Sequence, residues 1–511
     1  MTGTHNERMS SVDTAWLRMD TAVNSMVILG VTVTETRIPV AAFKRLVKER
    51  FLSFPRFRQR PVPAALGAAW VDDEAFDLDA HIRVEHLPAP AGRAELEALA
   101  STLASSRLDP ERPLWQLHLV PHYRGGSAWI MRIHHCYADG IAMIRVLLSM
   151  TEERDSATGA AAGARQRGRS RRRPRPEVLP FIDWLGQISP PAGDALESAL
   201  SEGARLIEAG FAQALHPEQA AALARQAGGM VRELVRVVAL PDDPVTIYRA
   251  KLSGRKSVAW ADPLPLEDVK TIGRALECTV NDVLMSTVAG ALGAWLREQG
   301  HDIRGLGIRA TVPVNLRGAE QTLTLGNRFG LIFVDMPLGM RNPLRRLYAM
   351  HSTLSSLKGS MQPPMTLALL GLLGLLPASL QAPAIELFSR KGTAVVSNVP
   401  GPQVPLYLCG QKISEMYFWV PQSGSMGIGV SVLTYAGQVY VGMIADRNLV
   451  PDPQRVVDLF APEFERLRQA VGTGVLVDRH DGRVDSGRKT KRSRERSRGR
   501  ARRKPTRRKA D

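Results

Sequence analysis

The stretch at 131–140, Met-Arg-Ile-His-His-Cys-Tyr-Ala-Asp-Gly, constrains this chain more than any other. It ends an apolar run made by Ala128, Trp129, Ile130, Met131 and Ile133, which follows a looser run at Leu117, Leu119 and Val120. Between them lies Tyr123-Arg124-Gly125-Gly126-Ser127, a glycine-bearing turn. The two runs read as a β-hairpin whose second arm is buried. His134 and His135 then fall at the C-terminal end of that arm. Asp139-Gly140 turns the chain, and Ile141, Ile144, Leu147 and Leu148 continue at helical spacing. A strand end feeding a helix is where open α/β sheets place reactive groups.

The residue types suit that place. An imidazole near neutral pKa takes a proton from a hydroxyl and returns it to a leaving group. Asp139 can fix the strand-end loop by pairing with a buried arginine, for which Arg132 and Arg317 are candidates. Gly140 lets the backbone turn sharply against the histidines. The same stretch also reads as half of a metal site or as a hydrogen-bonded histidine pair. Cys136 offers a thiol nucleophile, but the strand neighbour of His135 points to the opposite face.

Further stretches narrow these readings. In chain order they are Arg112-Pro113-Leu114-Trp115, the histidine stretch, Asn281-Asp282-Val283-Leu284, Pro313-Val314-Asn315-Leu316-Arg317 with Leu325-Gly326-Asn327-Arg328-Phe329-Gly330, and Ser397-Asn398-Val399-Pro400-Gly401-Pro402. His-His-x-x-x-Asp-Gly resembles the active-site motif of the CoA-dependent acyltransferase superfamily, which includes chloramphenicol acetyltransferase and peptide-synthetase condensation domains. With the other motifs in this order, residues 10–469 resemble bacterial wax ester synthase/acyl-CoA:diacylglycerol acyltransferases. The resemblance implies two chloramphenicol-acetyltransferase-like α/β domains, each a mixed sheet flanked by helices, joined by a helical connector, with the active site at their interface.

Composition agrees with a globular protein: hydrophobic residues make up 44%. Cys136, Cys278 and Cys409 lack metal-type spacing and form no disulfide framework, which suits a reducing interior. Residues 1–20 are polar and carry acids, so they do not read as a secretory signal. The net charge of +17 is concentrated in two places. Residues 483–511 carry 15 Lys/Arg against 3 Asp/Glu, and residues 154–175 carry 8 Arg against 1 Asp. Taking those +12 and +7 from +17 leaves the remainder at −2.

Along the chain, the expected units are an N-terminal acyltransferase domain at 1–153, a basic disordered insertion at 154–176, a helical connector at 177–249, a C-terminal acyltransferase domain at 250–476 and a basic disordered tail at 477–511. The acids at 70–81 are too irregular for a calcium loop and read as a solvated turn. Trp115 reads as a core anchor. Asn281-Asp282 stands where an N-cap would, ahead of a helix from 283. The run at 365–376 is the most apolar in the chain, yet too short for the ~20 residues that span a bilayer. It reads as a wall of a lipid channel or a membrane-docking face, with plain core as the other reading.

The expected chemistry is acyl transfer from acyl-CoA to the hydroxyl of diacylglycerol, with a long-chain alcohol as the alternative acceptor. The resemblance makes His135 the general base, with His134 and Asp139 holding its geometry. Gly140, Asn281 and Asp282 are substrate-binding or supporting. No metal or cofactor is implied, since acyl-CoA is a substrate. The basic tail, with the apolar run, points to peripheral attachment at the inner face of the membrane or at lipid droplets, in an otherwise cytoplasmic protein. A nucleic-acid arm is the competing reading of the tail, but no aromatic residues interleave its arginines. A non-catalytic lipid binder on the same fold is the third reading, and the intact histidine motif argues against it.

Overall fold

The computed structural model describes residues 7–64, 67–153, 240–317, 325–375 and 378–472, with short pieces at 476–477 and 484–485. The insertion expected at 154–176, the helical connector expected at 177–249 up to residue 239, and nearly all of the tail lie outside the described residues; the connector's described end, 240–249, is extended apart from a single helical turn at Ile247–Arg249.

The chain opens on α1 (Ser11–Met19), capped by the Ser10 hydroxyl accepting from the Asp13 N–H at 3.0 Å. Asp13, Trp16 and Met19 recur every three residues and share its buried face. Strand β1 (Val27–Thr34), rich in β-branched residues, is buried along nearly its whole length. After α2 (Val40–Glu49) come β2 (Ile82–Val84) and α3 (Arg93–Ala104), then the expected hairpin of β3 (Trp115–Tyr123) and β4 (Gly126–His134). Helix α4 (Gly140–Met150) and the short β5 (Glu152–Glu153) complete this half. The solvated-turn reading holds for the acids at 73–77, which lie in an exposed or half-exposed turn, but not at its start: residues 68–72 form a strand of a small separate sheet, and Trp70 is buried edge-on against Tyr137. Trp115 is fully buried as expected, and its indole N–H donates to the Phe57 carbonyl at 2.8 Å.

The second half comprises β6 (Lys256–Trp260), α5 (Leu266–Leu276), α6 (Val280–Glu298), β7 (Ile308–Asn315), β8 (Phe329–Met336), α7 (Pro343–Ser356), α8 (Gln362–Leu375), α9 (Ala378–Ser389) and β9 (Ala394–Pro400). Then come β10 (Leu406–Leu408), β11 (Gln411–Trp419), β12 (Ile428–Tyr435), β13 (Gln438–Asp446), α10 (Pro453–Asp458) and α11 (Phe460–Gly472). Two seven-stranded mixed sheets result. The first runs β2-β3-β4-β1-β11-β10-β5. In the second, β13, β12, β9, β7 and β8 lie side by side, with β6 and Leu264–Pro265 both on β13. Each sheet has helices against it, as the α/β reading requires.

The sheets do not divide at a sequence position. Strands β10 and β11, from the second half, leave their neighbours and finish the first sheet, where β11 pairs antiparallel with β1. A boundary near 250 therefore separates strands that share a sheet. The crossing strand carries Tyr417 and Trp419, which pack on Trp260 of β6 at centroid distances of 5.2 and 5.6 Å. Helix α3 reaches the other way. The Ser101 and Ser105 hydroxyls accept from the N–H groups of Val258 and Lys256 at 3.0 and 2.8 Å, covering the open edge of β6.

Helix α8 holds the apolar run. Met365, Ala368, Leu370 and Leu373 are buried, while Leu372 is 41% exposed. The helix packs on α1 and β8, and none of its residues lines the cleft described below. The channel-wall reading is thus corrected: α8 backs the wall and does not form it. Gly374 permits the contact with α1, since an added Cβ would fall 1.7 Å from the Ser11 carbonyl oxygen. Gly374→Ala is expected to cost about 1–3 kcal/mol through overpacking, read as a lower urea midpoint at unchanged slope. Gly472→Ala, with open space around it, should leave the midpoint where it is.

Candidate active site

A half-open cleft of about 910 Å³ lies between the two sheets. The first half contributes Trp16 of α1, Ile28 of β1, His135, and Asp139, Gly140 and Ile141 at the start of α4. Facing them are Asn315 of β7, Phe329 and Leu331 of β8, and Ser397, Asn398 and Val399 of β9. Further along, Val395, Phe418, Val420, Pro421 and Met426 make the lining strongly apolar, as small-molecule sites commonly are.

His135 stands where the β4 strand end turns toward α4. Its backbone N–H donates to the Met26 carbonyl at 2.7 Å, and its own carbonyl accepts from Asn327 Nδ2 at 2.7 Å. The ring stacks on Trp16 at 4.3 Å and 14° and lies tilted against Phe329 at 5.5 Å. Nδ1 is buried with no hydrogen-bond partner among the described residues. Burial holds the His135 pKa below its ordinary value; the residue's own backbone carbonyl, the Asp139 charge and the Asn327 side chain oppose the shift. His134 does not line the cleft. Its Nδ1 accepts from the Cys136 N–H at 3.2 Å, and burial pushes its pKa down to about 4, so the ring is neutral. Cys136 is fully buried, and burial drives its thiol pKa well up, so no thiolate stands ready there.

Asp139 organises the loop after the histidines. One carboxylate oxygen accepts from the Ala142 N–H at 2.9 Å and so caps α4. The other accepts from Arg317 Nη2 at 2.9 Å, from Arg317 Nε at 3.3 Å and from the Arg328 N–H at 3.0 Å. Arg317 is therefore the partner. Arg132 instead donates to Gln116 Oε1 at 2.7 Å and to the Ser106 carbonyl. The pair is deeply buried, with side chains 1% and 5% exposed. Residues 325–328 then lie along the histidine loop: the Gly326 N–H donates to the Tyr137 carbonyl at 2.9 Å, and the Asp139 N–H to the Gly326 carbonyl at 3.3 Å. Gly326 adopts φ of 102°, and an added Cβ would sit 3.3 Å from Asp13 Oδ2.

Sequence reasoning missed three residues here. Asp13 accepts from both the backbone N–H and Nδ2 of Asn327, at 3.0 and 2.8 Å, and burial pushes its pKa up to about 6. Trp16 lies one turn further along α1, against the imidazole. Asn327 joins Asp13 to the His135 carbonyl. The available signal was a carboxylate sharing an apolar helix face with a tryptophan, a position that needs a buried partner.

The second-half residues fall differently from expectation. The N-cap of α6 is Thr279, not Asn281-Asp282; Thr279 and Asp282 form a capping box, with bonds of 3.1 and 2.7 Å. Asp282 also pairs with His351 Nδ1 at 2.8 Å and does not line the cleft. Asn281 is buried behind the cleft and meets it through Asn398, whose Nδ2 donates to Asn281 Oδ1 at 3.1 Å.

Residues 9–284 match the catalytic domain of the wax ester synthase/diacylglycerol acyltransferase family, and residues 325–468 match that family's C-terminal domain. The chain belongs to this family. A probable diacylglycerol O-acyltransferase of Mycobacterium tuberculosis is 28% identical over 442 residues, 84% of this chain and 88% of its own length. A second one from that organism is 27% identical over 428 residues. Among solved structures, the wax ester synthase/diacylglycerol acyltransferase from Marinobacter aquaeolei VT8 superposes with a TM-score of 0.62 at 21% identity, covering 91% of this chain and all of that one. The first condensation domain of the calcium-dependent antibiotic synthetase superposes at 0.55 with 13% identity, covering 95% and 100%.

Arg317→Ala leaves the Asp139 carboxylate buried without its cation, which costs about 3–5 kcal/mol in such pairs. The expected result is a loss of that size in urea unfolding, with Arg317→Lys recovering part of it. A variant as stable as the parent would contradict the pairing.

Proposed function

We propose that this protein transfers a long-chain acyl group from acyl-CoA to the hydroxyl of diacylglycerol, giving triacylglycerol, with His135 as general base. The observation that carries the reading is an imidazole packed against both Trp16 and Phe329 at a half-open apolar cleft, its Nδ1 turned into protein. That leaves Nε2 as the nitrogen for substrate. It accepts the acceptor hydroxyl's proton while the oxygen attacks the thioester carbonyl. When the tetrahedral intermediate collapses, the C–S bond breaks and the same proton passes to the CoA sulfur. One base serves both steps in a ternary complex, and no acyl-enzyme is needed. Family membership and the mycobacterial relatives named for diacylglycerol acylation support this acceptor. In this reading His134 and Asp139 position the base, Gly140 leaves room at the start of α4, and Asn281 holds Asn398 at the cleft, where a side-chain amide can donate to the developing oxyanion.

The test is purified enzyme given labelled palmitoyl-CoA with diacylglycerol and hexadecanol in parallel. Triacylglycerol should dominate; wax ester as the main product would reverse the acceptor assignment. His135→Ala should lower the rate by about 10²–10⁴, the contribution of a positioned base. Because the folded pKa lies below the ordinary histidine value of 6.5, the ring is neutral and competent throughout the neutral range. The acid limb of kcat/KM should therefore have its midpoint below 6.5 and vanish in His135→Ala. A midpoint above 6.5 would exclude His135 as the titrating group.

Attachment to a lipid surface completes the proposal. No helix among the described residues is long and apolar enough to cross a membrane. The exposed Met361 and Leu372 beside and on α8, together with the basic segments at 154–175 and 483–511, support peripheral docking on anionic lipid, where each charge near the surface contributes ~1 kcal/mol. In flotation, the full chain should rise with anionic but not neutral liposomes, and deleting residues beyond 478 should weaken this. Equal flotation with both kinds of liposome would remove the proposal.

A further inference from the structure

Behind the cleft, the turn from α5 to α6 brings a thiol, a carboxylate and an imidazole together, and the acyl-transfer step uses none of them. Glu277 ends α5 in the left-handed region, at φ of 54°. The sharp bend sets the Cys278 N–H on the Gly273 carbonyl at 2.8 Å. Cys278 is thereby fixed one residue before the Thr279 cap. Asp282, one turn into α6, is 2% exposed and held by the capping box. His351 projects from α7, with its Nδ1 2.8 Å from Asp282 Oδ2. The thiol sulfur, a carboxylate oxygen and an imidazole nitrogen all lie within 4.8 Å of one another.

We propose that Cys278, Asp282 and His351 form a binding site for a zinc-like divalent cation. Around one tetrahedral zinc, bonds of roughly 2.0–2.3 Å place ligand atoms roughly 3.3–3.6 Å apart, so small side-chain rotations bring this trio into register. The donor set selects the metal. A thiolate and an imidazole suit zinc or cobalt, whereas magnesium and calcium require mostly oxygen donors. Binding displaces the thiol proton to solvent and replaces the His351–Asp282 hydrogen bond with two metal bonds. Cys278 and His351 are half-buried, which gives the ion a way in, and Asp282 supplies the rigid anchor. Three protein ligands leave the fourth position to water. An occupied site would staple the α5–α6 turn to α7. Because Asn281 lies between the cap and Asp282 and holds Asn398, occupancy is transmitted to the cleft.

The experiment uses the full-length protein, stripped with chelator and titrated with Co²⁺. One equivalent is expected to give a thiolate-to-cobalt charge-transfer band and tetrahedral visible bands, and Zn²⁺ is expected to displace it. Cys278→Ser should abolish the charge-transfer band and, like His351→Ala, weaken binding at least tenfold. His135→Ala should change neither, which separates this site from the cleft. Circular dichroism checks that each variant is folded, and His351→Gln replaces His351→Ala if that protein is not. The absence of a thiolate band in the wild type, or a band unchanged in Cys278→Ser, would overturn the proposal.

Discussion

The Asp139–Arg317 pair is the contact on which the cleft depends. Each charge was taken out of water at considerable cost, and an ion pair offsets that cost only when its remaining hydrogen bonds are satisfied. Here they are, by the first turn of α4 and by the backbone at 326–328. Arg317 and that backbone come from the second half of the chain, while Asp139 and the histidines come from the first. The loop that carries His135 is therefore shaped by residues nearly two hundred positions away, and its geometry exists only when the halves are joined.

Helix α1 adds a second layer of support. Trp16 limits the rotation of the imidazole by stacking. Asp13, through Asn327, fixes the carbonyl of the same residue. Among the described residues the carboxylate has no ion-pair partner, and burial raises its pKa. Such an arrangement favours positional precision at the imidazole over stability.

Much of this was legible in the sequence. The hairpin, the strand-end histidines and the helix after Asp139 follow from apolar periodicity and turn chemistry, and the ordered motifs gave the family. Arg317 was one of two candidates, separable only in three dimensions. What could not be read were contacts whose partners lie far apart in the chain: Asp13 with Asn327, Trp16 with His135, and Asn281 with Asn398. Asn281-Asp282 misled because either residue type caps helices well; Thr279 does so here and recruits Asp282 as the third residue of its box. The acids at 72–79 are solvated as they read, but their charge hid the strand just before them, which the buried ring of Trp70 pins.

The exchange of strand β11 into the first sheet has a consequence for synthesis. Its partner β1 emerges from the ribosome roughly 380 residues earlier, and at about 5–20 residues per second that is a delay of roughly 20–80 s. Throughout it, an apolar strand with an unpaired edge sits in an unfinished sheet, a template for wrong partners. The nascent chain thus spends most of its birth exposed to misassociation, and its yield in a cell is governed by whatever shields that edge until the last quarter of the chain arrives.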